Sequence, residues 1–363
     1  MFFALRDLRR AWRRFVLVGL VVALVSVLST VLGGLANGLV DDGISGLRAL
    51  PLTHLAFEPG SQAVFSRSTL TEEQLRPWRE VPGTEASPLG VTFVNAKSEQ
   101  GGPSIDLALF GVPDDSFLAE PGEVRRVVGG APGLVLAAEL EAEGVEVGDR
   151  YELSGSGVTL PVAGFTDAGS YGHVPIAFTS LDTWRATMYG EDHRGRFSAI
   201  AVRTDDPGAL AAVDRAAGTE TTTKVEAYDG SPGYSAEMAT MTLIRGFLLA
   251  ISALIVGAFF TVLTVQRTRQ IGLLKAMGAS TGYVLRDGLG QLAIVVVVAT
   301  VAGALLGTAI VAALQGGEVP VALSLGSVVT SAVVLAVTGV AGSLVAFRRI
   351  ARIEPAVALG VES

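Results

Sequence analysis

The segment QRTRQIGLLKAMGAS, residues 266–280, lies between two long apolar runs and decides how the chain is organised. It interrupts a 363-residue sequence in which 50% of residues are hydrophobic and 17% are charged. On a helix, Ile271, Leu274 and Met277 fall on one face. A basic segment with such an apolar stripe predicts either an interfacial helix on the lipid headgroups or a surface that docks on a partner protein.

Four apolar runs are long enough to cross a bilayer, which takes about 20 residues. They cover residues 15–40, 243–265, 292–314 and 321–347. The first run is too long for the apolar core of a signal peptide, which favours a retained signal anchor. We therefore predict an α-helical membrane protein with four transmembrane helices.

Basic residues orient these spans by the positive-inside rule. They precede the first span, occupy the loop between the second and third spans, and follow the fourth span. Both termini are therefore expected in the cytoplasm, as in a multi-pass protein of the cell membrane. The acidic segment between the first two spans is expected outside the cytoplasm.

Residues 41–231 alternate strand-like and helix-like pieces, which predicts a large extracytoplasmic α+β domain between helices 1 and 2. Residues 71–81 are predicted to form a helix with a capping box of Thr71 and Gln74. The alternating segment 105–112 is predicted to be a strand. Residues 134–145 begin as an apolar run and are predicted to continue as an amphipathic helix.

The chain is thus divided into residues 1–40, 41–231 and 232–363. The helix of the second span is expected to begin at Pro232 after a Ser231 cap. It is predicted to run unbroken to about residue 270, which would join the external domain to the cytoplasmic loop. A break near Thr240 is the alternative.

The sequence lacks the motifs of several common catalytic mechanisms. It contains no cysteine, no G-x-x-x-x-G-K-[ST] phosphate loop and no hydrolase or metalloprotease motif. The three histidines, His54, His173 and His193, are scattered through the external domain, where a lone histidine is usually a surface or packing residue. We expect a non-catalytic subunit with no permanently bound cofactor and no nucleic-acid partner.

One helical face near the expected outer end of the second span carries side chains that can bind a ligand. Tyr234, Glu237, Met238 and Met241 lie at i, i+3, i+4 and i+7, and Arg245 continues the face one turn deeper. Carboxylate, phenol and thioether groups are candidate ligands for ferric haem iron, with Glu237 as the metal ligand and Arg245 as a propionate partner. Alternatively, the methionines pack on a neighbouring helix and Glu237 is solvated.

Two pairs of small residues permit close contact between helices. Gly34 and Gly38 form one pair, and Gly303 and Gly307 form the other. Because four spans enclose little space, a second copy of the chain is expected to complete any substrate site. These glycines are candidates for helix packing or for that dimer contact.

The segment 266–280 resembles the loop between the second and third spans of the FtsX-like/MacB-like permeases of ABC transporters. Residues 136–153 and 351–360 resemble other parts of the same family, whereas Gln270 stands where the family usually has glutamate. The resemblance implies a homodimer in membrane lipid, served by two cytoplasmic ABC ATPase subunits that bind the ATP. It assigns coupling to the ATPase to Arg267, Arg269, Ile271, Gly272, Leu274, Lys275, Met277 and Gly278.

Residues 231–262, together with residues 266–291, resemble the HrtB-type haem-exporter permeases, with Gly233, Tyr234 and Glu237 matching. That resemblance implies haem as the substrate, taken from the outer leaflet into a pocket between two copies. Two other readings of the same fold stay open. It could export another amphipathic molecule, such as a peptide antibiotic or a lipid, or it could transmit mechanical force to an envelope enzyme.

Overall fold

A computed structural model describes residues 12–119, 122–130, 132–190, 195–266, 273, 277, 280–315, 317 and 319–350. The chain divides into two compact units. Met1–Gly38 and Met238–Ser363 form the first, here called the membrane unit. Leu39–Glu237 form the second, called the sheet unit.

Four helices in the described residues are long and apolar enough to cross a membrane. They are α1 (Trp12–Ala49), α7 (Tyr234–Gln266), α8 (Thr281–Leu314) and α9 (Leu325–Ile350). The large domain lies between α1 and the other three. This confirms the predicted architecture of four membrane helices with one large domain after the first.

Helix α1 is longer than the apolar run that predicted it. Hydropathy ends the span at residue 40, where Asp41 and Asp42 begin a polar stretch, but the helix continues to Ala49. Its last turns bury Ile44 and Leu47 in the core of the sheet unit. Packing against that core therefore sustains the helix where hydropathy no longer does. Its 38 residues rise about 57 Å, well beyond a hydrocarbon core of about 30 Å.

Helix α7 passes Thr240 without a break, and the predicted continuity is confirmed as far as Gln266, where its described residues end. It begins at Tyr234 rather than Pro232. The hydroxyl of Ser231, expected to cap this helix, donates instead to the carbonyl oxygen of Gly43 at 2.9 Å. This bond ties the start of α7 to the outer part of α1 within the sheet unit.

The other two membrane helices also differ from their hydropathy limits. Helix α8 begins at Thr281, with Ser280 Oγ accepting from the backbone N–H of Tyr283 at 3.2 Å, as an N-cap does. Helix α9 begins at Leu325, four residues after the predicted start. The preceding segment is not helical, and within it the N–H of Ala322 donates to the carbonyl oxygen of Gly34 at 3.0 Å.

The described part of the sheet unit contains ten paired strands and five short α-helices. The strands are β1 (His54–Phe57), β2 (Thr84–Ser98), β3 (Ile105–Val112), β4 (Leu134–Ala137), β5 (Arg150–Leu153), β6 (Val158–Thr166), β7 (Ser170–Tyr171), β8 (Val174–Ser180), β9 (Ala199–Thr204) and β10 (Glu220–Thr223). The helices are α2 (Glu72–Arg79), α3 (Glu123–Val128), α4 (Glu139–Ala142), α5 (Leu181–Tyr189) and α6 (Leu210–Ala217).

The strands form one mixed sheet that closes on itself. Its order is β10-β1-β9-β2-β3-β8-β4-β6-β5, and β5 pairs again with β2. The long strand β2 makes this possible, because its first half pairs with β9 and its last residues pair with β5. The pairs β3–β8 and β4–β6 are parallel, and β7 adds a short hairpin to β8.

Strand β3 explains why both faces of this sheet are buried. Ala108, Phe110 and Val112 belong to one apolar core, whereas Leu107 and Leu109 belong to the other. Side chains of a strand alternate between faces, so a nearly continuous apolar run supplies two cores at once. The predicted strand at 105–112 is confirmed with the same bounds.

Two further predictions in this unit have different outcomes. The capping box of Thr71 and Gln74 at the start of α2 is present, which confirms that prediction. The amphipathic helix predicted within residues 134–145 is largely wrong. The segment forms strand β4, and only Glu139–Ala142 are helical before the chain turns at Gly144 with φ +93°.

Candidate functional site

The five residues predicted to share a face of α7 are the partly buried ones in its first turns. Tyr234, Glu237, Met238, Met241 and Arg245 are all partly buried. Every other residue from Ser235 to Ile244 is exposed. Tyr234 and Glu237 belong to the sheet unit, and the two methionines and Arg245 belong to the membrane unit.

A tight hairpin brings His173 to the start of this helix. The hairpin joins β7 to β8 through Gly172 and His173, whose φ angles are +60° and +65°. Positive φ at both central residues is the signature of a type I′ turn. Because left-handed backbone is costly for a residue with a side chain, the fold holds His173 in a conformation that it would rarely adopt alone.

The imidazole of His173 lies between two carboxylates from different helices. Its Nδ1 is 3.0 Å from Oδ2 of Asp42 in the C-terminal part of α1. Its Nε2 is 3.1 Å from Oε1 of Glu237 in the first turn of α7. The second contact has the distance of an ion pair, but its angle does not meet that of a hydrogen bond. Three separate elements of the sheet unit therefore meet at one ring.

The expectation that the histidines are surface or packing residues did not anticipate the contacts of His173 with two carboxylates. No sequence motif marked His173, because its partners stand far away along the chain. His54 does fit that expectation, with its Nδ1 2.9 Å from the hydroxyl of neighbouring Thr53. His193 lies outside the described residues.

Glycines make room for the Asp42–His173–Glu237 cluster. A Cβ on Gly233, where φ is +82°, would lie 3.0 Å from Glu237 Oε1 and 3.7 Å from His173 Nε2. A Cβ on Gly43 would lie 3.7 Å from His173 Cε1. The backbone N–H of Gly172 also donates to the carbonyl oxygen of Gly43 at 2.9 Å, which holds the hairpin against α1.

An aromatic cluster packs against Tyr171 at the base of the hairpin. Tyr171 contacts the rings of Phe65, Phe93 and Phe110, with centroid separations of 5.6, 5.9 and 5.9 Å. Burial raises the pKa of Tyr171, and a hydrogen bond with Ser231 opposes that shift only in part. Its phenol is therefore neutral and acts as a packing group in this structure.

The surroundings of Asp42 are acidic. The pKa of Glu139 is raised first by burial, then by the negative charge of Asp42 and finally by Glu143. Among the described residues, no three histidine, aspartate or glutamate side chains converge on a common metal position. This fits the geometry, since Asp42 and Glu237 approach opposite nitrogens of the ring.

The four predicted packing glycines all contact other elements of the membrane unit. A Cβ on Gly34 would lie 2.8 Å from Val311 of α8, and a Cβ on Gly38 would collide with the carbonyl of Pro320. On α8, Gly303 fits against the backbone of Ala23 and the side chain of Ser26 in α1. A Cβ on Gly307 would lie 2.7 Å from Thr30 Cβ. These glycines thus allow α1 to approach α8 and the segment before α9.

Most of the predicted coupling segment lies outside the described residues. Arg267, Arg269, Ile271, Gly272, Leu274, Lys275 and Gly278 belong to that part. Met277 is described, and its backbone N–H donates to the carbonyl oxygen of Leu273 at 3.0 Å. Both side chains are exposed, with Met277 at 69% and Leu273 at 55%, so they are accessible for docking.

The last three helices lie largely in a part of the chain that matches a known protein family. Residues 242–355 match the family described as the FtsX-like permease C-terminal domain. The chain carries an FtsX-like permease domain. With its four apolar helices, it is a membrane protein and a permease of the ABC transporter class.

Full-length relatives of this FtsX-like permease agree with that class. It is 24% identical over 362 residues to the hemin transport system permease protein HrtB of Staphylococcus haemolyticus, covering 96% of this chain and 95% of the relative. It is also 24% identical over 365 residues to an uncharacterized ABC transporter permease of Mycobacterium tuberculosis, covering 99% of each chain.

Among solved structures, the FtsX-like permease is similar to the extracellular domain of the ABC-type transporter YknZ from Gram-positive bacteria. That match has 14% sequence identity and a TM-score of 0.32. It covers 47% of this chain and 98% of the YknZ domain.

Proposed function

We propose that this FtsX-like permease exports haem from the membrane, as one half of a homodimer driven by a separate ABC ATPase. Both termini and the segment 266–280 face the cytoplasm in this arrangement. The sheet unit faces the outside. Haem leaves the outer leaflet, binds near the outer end of α7 and is expelled when the ATPase closes.

The observation that carries the proposal is the contact of His173 with Glu237 beside the methionine face of α7. It holds a carboxylate, 33% exposed, at the first turn of a membrane helix. Met238 and Met241 follow on the same half-buried face. Carboxylate and thioether groups in such a row suit an iron porphyrin, which is apolar around a central metal. The HrtB relative, whose name refers to hemin transport, supports this cargo.

One copy of the chain does not supply two axial ligands from His173 and Glu237 together. Axial ligands bind opposite faces of a porphyrin, whereas these two side-chain atoms are only 3.1 Å apart. We therefore assign the iron to Glu237, and to His173 the role of the neighbouring ring that orients this carboxylate. A methionine of α7, or a group from the second copy, completes the coordination.

The requirement for an ATPase partner follows from the sequence. The chain has no phosphate loop, so the energy for export comes from another subunit. The apolar stripe of Ile271, Leu274 and Met277 supplies the docking surface. Lipid surrounds the exposed apolar side chains of α7, α8 and α9, such as Leu254, Val298 and Val337.

A haem titration of the purified protein tests the cargo. We expect the Soret band to shift and saturate with the wild-type protein. Glu237→Gln should weaken binding roughly tenfold or more, since it removes a metal ligand. Met238→Leu and Met241→Leu should change the position of the Soret band if either thioether binds the iron.

Matched controls keep this test specific. Glu73→Gln removes an exposed carboxylate of α2, and Met188→Leu removes an exposed thioether of α5, so neither should alter the titration. A flat Soret response from the wild-type protein would refute haem as the cargo. It would favour another amphipathic substrate for the same permease.

A further inference from the structure

Arg245 lies in a part of α7 where placing a charge has a high desolvation cost. It falls inside the candidate span Tyr234–Phe259. Ionisable residues within a span almost always face a partner or a polar cavity. Among the side chains that the structure describes, none forms an ion pair with Arg245.

Part of the guanidinium group is buried, and one of its N–H donors lacks a hydrogen-bond acceptor among the described residues. Nε of Arg245 is buried and has no hydrogen-bond acceptor among the described residues. A buried charged donor without an acceptor destabilises the protein unless a ligand or partner supplies one. The missing acceptor must therefore come from outside the described chain.

Two other helices face this guanidinium. A Cβ placed on Gly33 of α1 would lie 3.6 Å from Arg245 Nη2 and 3.7 Å from the hydroxyl oxygen of Ser327 in α9. Both polar groups thus approach the same point on α1. The absence of a side chain on Gly33 is what leaves that point open.

A narrow slot continues from this point between α1 and α9. Its polar lining residues are Thr30, Asn37, Ser324, Ser327 and Ser331, and the rest of its lining is Gly33, Gly34, Ala322, Leu323 and Val328. Hydroxyl and amide groups in a row are unusual for helix surfaces that face only apolar neighbours. The slot is too narrow to hold a water molecule in this structure. A ligand group can therefore enter only when α1 and α9 move apart.

We propose that Arg245 and Ser327 form an anion seat that binds a carboxylate of the amphipathic cargo while α1 and α9 separate. The inference rests on the proposed function and adds the second subsite of the cargo. A guanidinium group pairs with a carboxylate through two parallel hydrogen bonds, and the Ser327 hydroxyl donates a third. A lipid phosphate has the same acceptor chemistry, so the experiment separates the two sources.

Esterification of the cargo tests the seat without altering its iron. The full-length protein in phosphatidylcholine nanodiscs is titrated with iron protoporphyrin IX and with its dimethyl ester. The wild-type protein should bind the free acid roughly tenfold more tightly than the diester, because charge-assisted hydrogen bonds are lost. Arg245→Gln should lose that preference, and Ser327→Ala should lose part of it.

Controls separate the seat from the fold and from the iron ligands. Arg245→Lys keeps a charge and should recover part of the preference. Arg215→Gln on α6 and Thr338→Ala on α9 should behave like the wild-type protein. Glu237→Gln should weaken both porphyrins equally and leave their ratio unchanged, because it acts on the metal.

The outcomes are distinct. Equal binding of acid and diester by the wild-type protein, with a normal Soret shift, overturns the seat and leaves haem export standing. A flat Soret response to both porphyrins overturns the proposed function and the seat together. Phosphatidylglycerol that co-purifies with the wild-type protein but not with Arg245→Gln, combined with equal binding of the two porphyrins, assigns the guanidinium to a lipid phosphate.

Discussion

Nε2 of His173 lies 3.1 Å from Oε1 of Glu237, so a hairpin of the sheet unit touches the first turn of a membrane helix. Asp42 holds the other ring nitrogen at 3.0 Å. All three side chains are about one-third exposed. Ion pairs at such exposure contribute about 0–1 kcal/mol, so the main consequence of the contact is the orientation of the Glu237 carboxylate.

Replacing His173 with asparagine should impair haem binding without unfolding the protein. Asparagine tolerates left-handed backbone, so the hairpin should persist while Glu237 loses its imidazole neighbour. We expect a roughly three- to tenfold loss of haem affinity and a shifted Soret band, with stability changed by less than about 1 kcal/mol. His54→Asn is the matched control. An unaltered spectrum and affinity for His173→Asn would remove His173 from the site.

The apolar stripe of the cytoplasmic segment should be required for capture of the ATPase. Ile271→Asp combined with Leu274→Asp puts two charges on a surface that must be desolvated on docking. We expect co-purification of the ATPase with the permease to be lost, while the permease itself elutes normally by size-exclusion chromatography. Intact co-purification would contradict the docking role of the stripe.

Ser280→Asp provides the matched control for that experiment. It adds a negative charge a few residues away from the stripe. Because aspartate is also a favourable N-cap, the start of α8 should be preserved. The ATPase should therefore remain bound to this variant.

Lys224 should stabilise the end of α1 in the sheet unit. Its Nζ donates to the carbonyl oxygen of Leu50 at 2.7 Å and also to that of Arg48. Burial lowers the pKa of Lys224, and the charge of Arg48 lowers it further. Lys224→Met keeps the apolar stem and removes the donor, which should cost about 1 kcal/mol or about 2–4 °C in melting temperature.

Tryptophan fluorescence of the full-length protein in detergent measures this effect. Trp78 and Trp184 are fully buried in the sheet unit and report its unfolding. Lys97→Met changes an exposed lysine of β2 and should leave the melting temperature unchanged. Equal melting temperatures for Lys224→Met and the wild-type protein would show that this contact does not stabilise the unit.

Gly307 should be essential to the packing of α8 on α1. Valine at this position would place Cβ 2.7 Å from Thr30 Cβ, which forces the helices apart. Overpacking of this kind typically costs about 1–3 kcal/mol. Gly282→Val is the control, because a Cβ on Gly282 of α8 meets no atom within 4 Å. Similar thermal stability of the two variants in detergent would argue against close packing at Gly307.

Local and short-range patterns account for what could be predicted. The membrane spans follow from apolar runs, the start of α2 from a capping box, and β3 from the alternation of residues 105–112. The limits of α1 and the first residue of α7 could not be predicted in this way. Both depend on contacts with the sheet unit, where Ile44 packs and the Ser231 hydroxyl finds the carbonyl of Gly43.

The candidate site shows the same division. The half-buried face of Tyr234, Glu237, Met238 and Met241 follows from helical spacing, which is a property of one segment. His173 could not be identified as a neighbour of Glu237, because only a hairpin folded against α1 brings the two together. The approach of Arg245 and Ser327 to Gly33 likewise depends on the packing of separate helices.

The four membrane helices, the large domain after the first of them and the shared face of Tyr234, Glu237, Met238 and Met241 could all be predicted from the sequence. These features arise from hydropathy and helical periodicity, which act over neighbouring residues. Only the packing of separate elements brings Asp42, His173 and Glu237 together, and only that packing brings Arg245 and Ser327 near Gly33. Such contacts join residues distant in the chain, so they depend on how whole elements pack and on the glycines that let them approach.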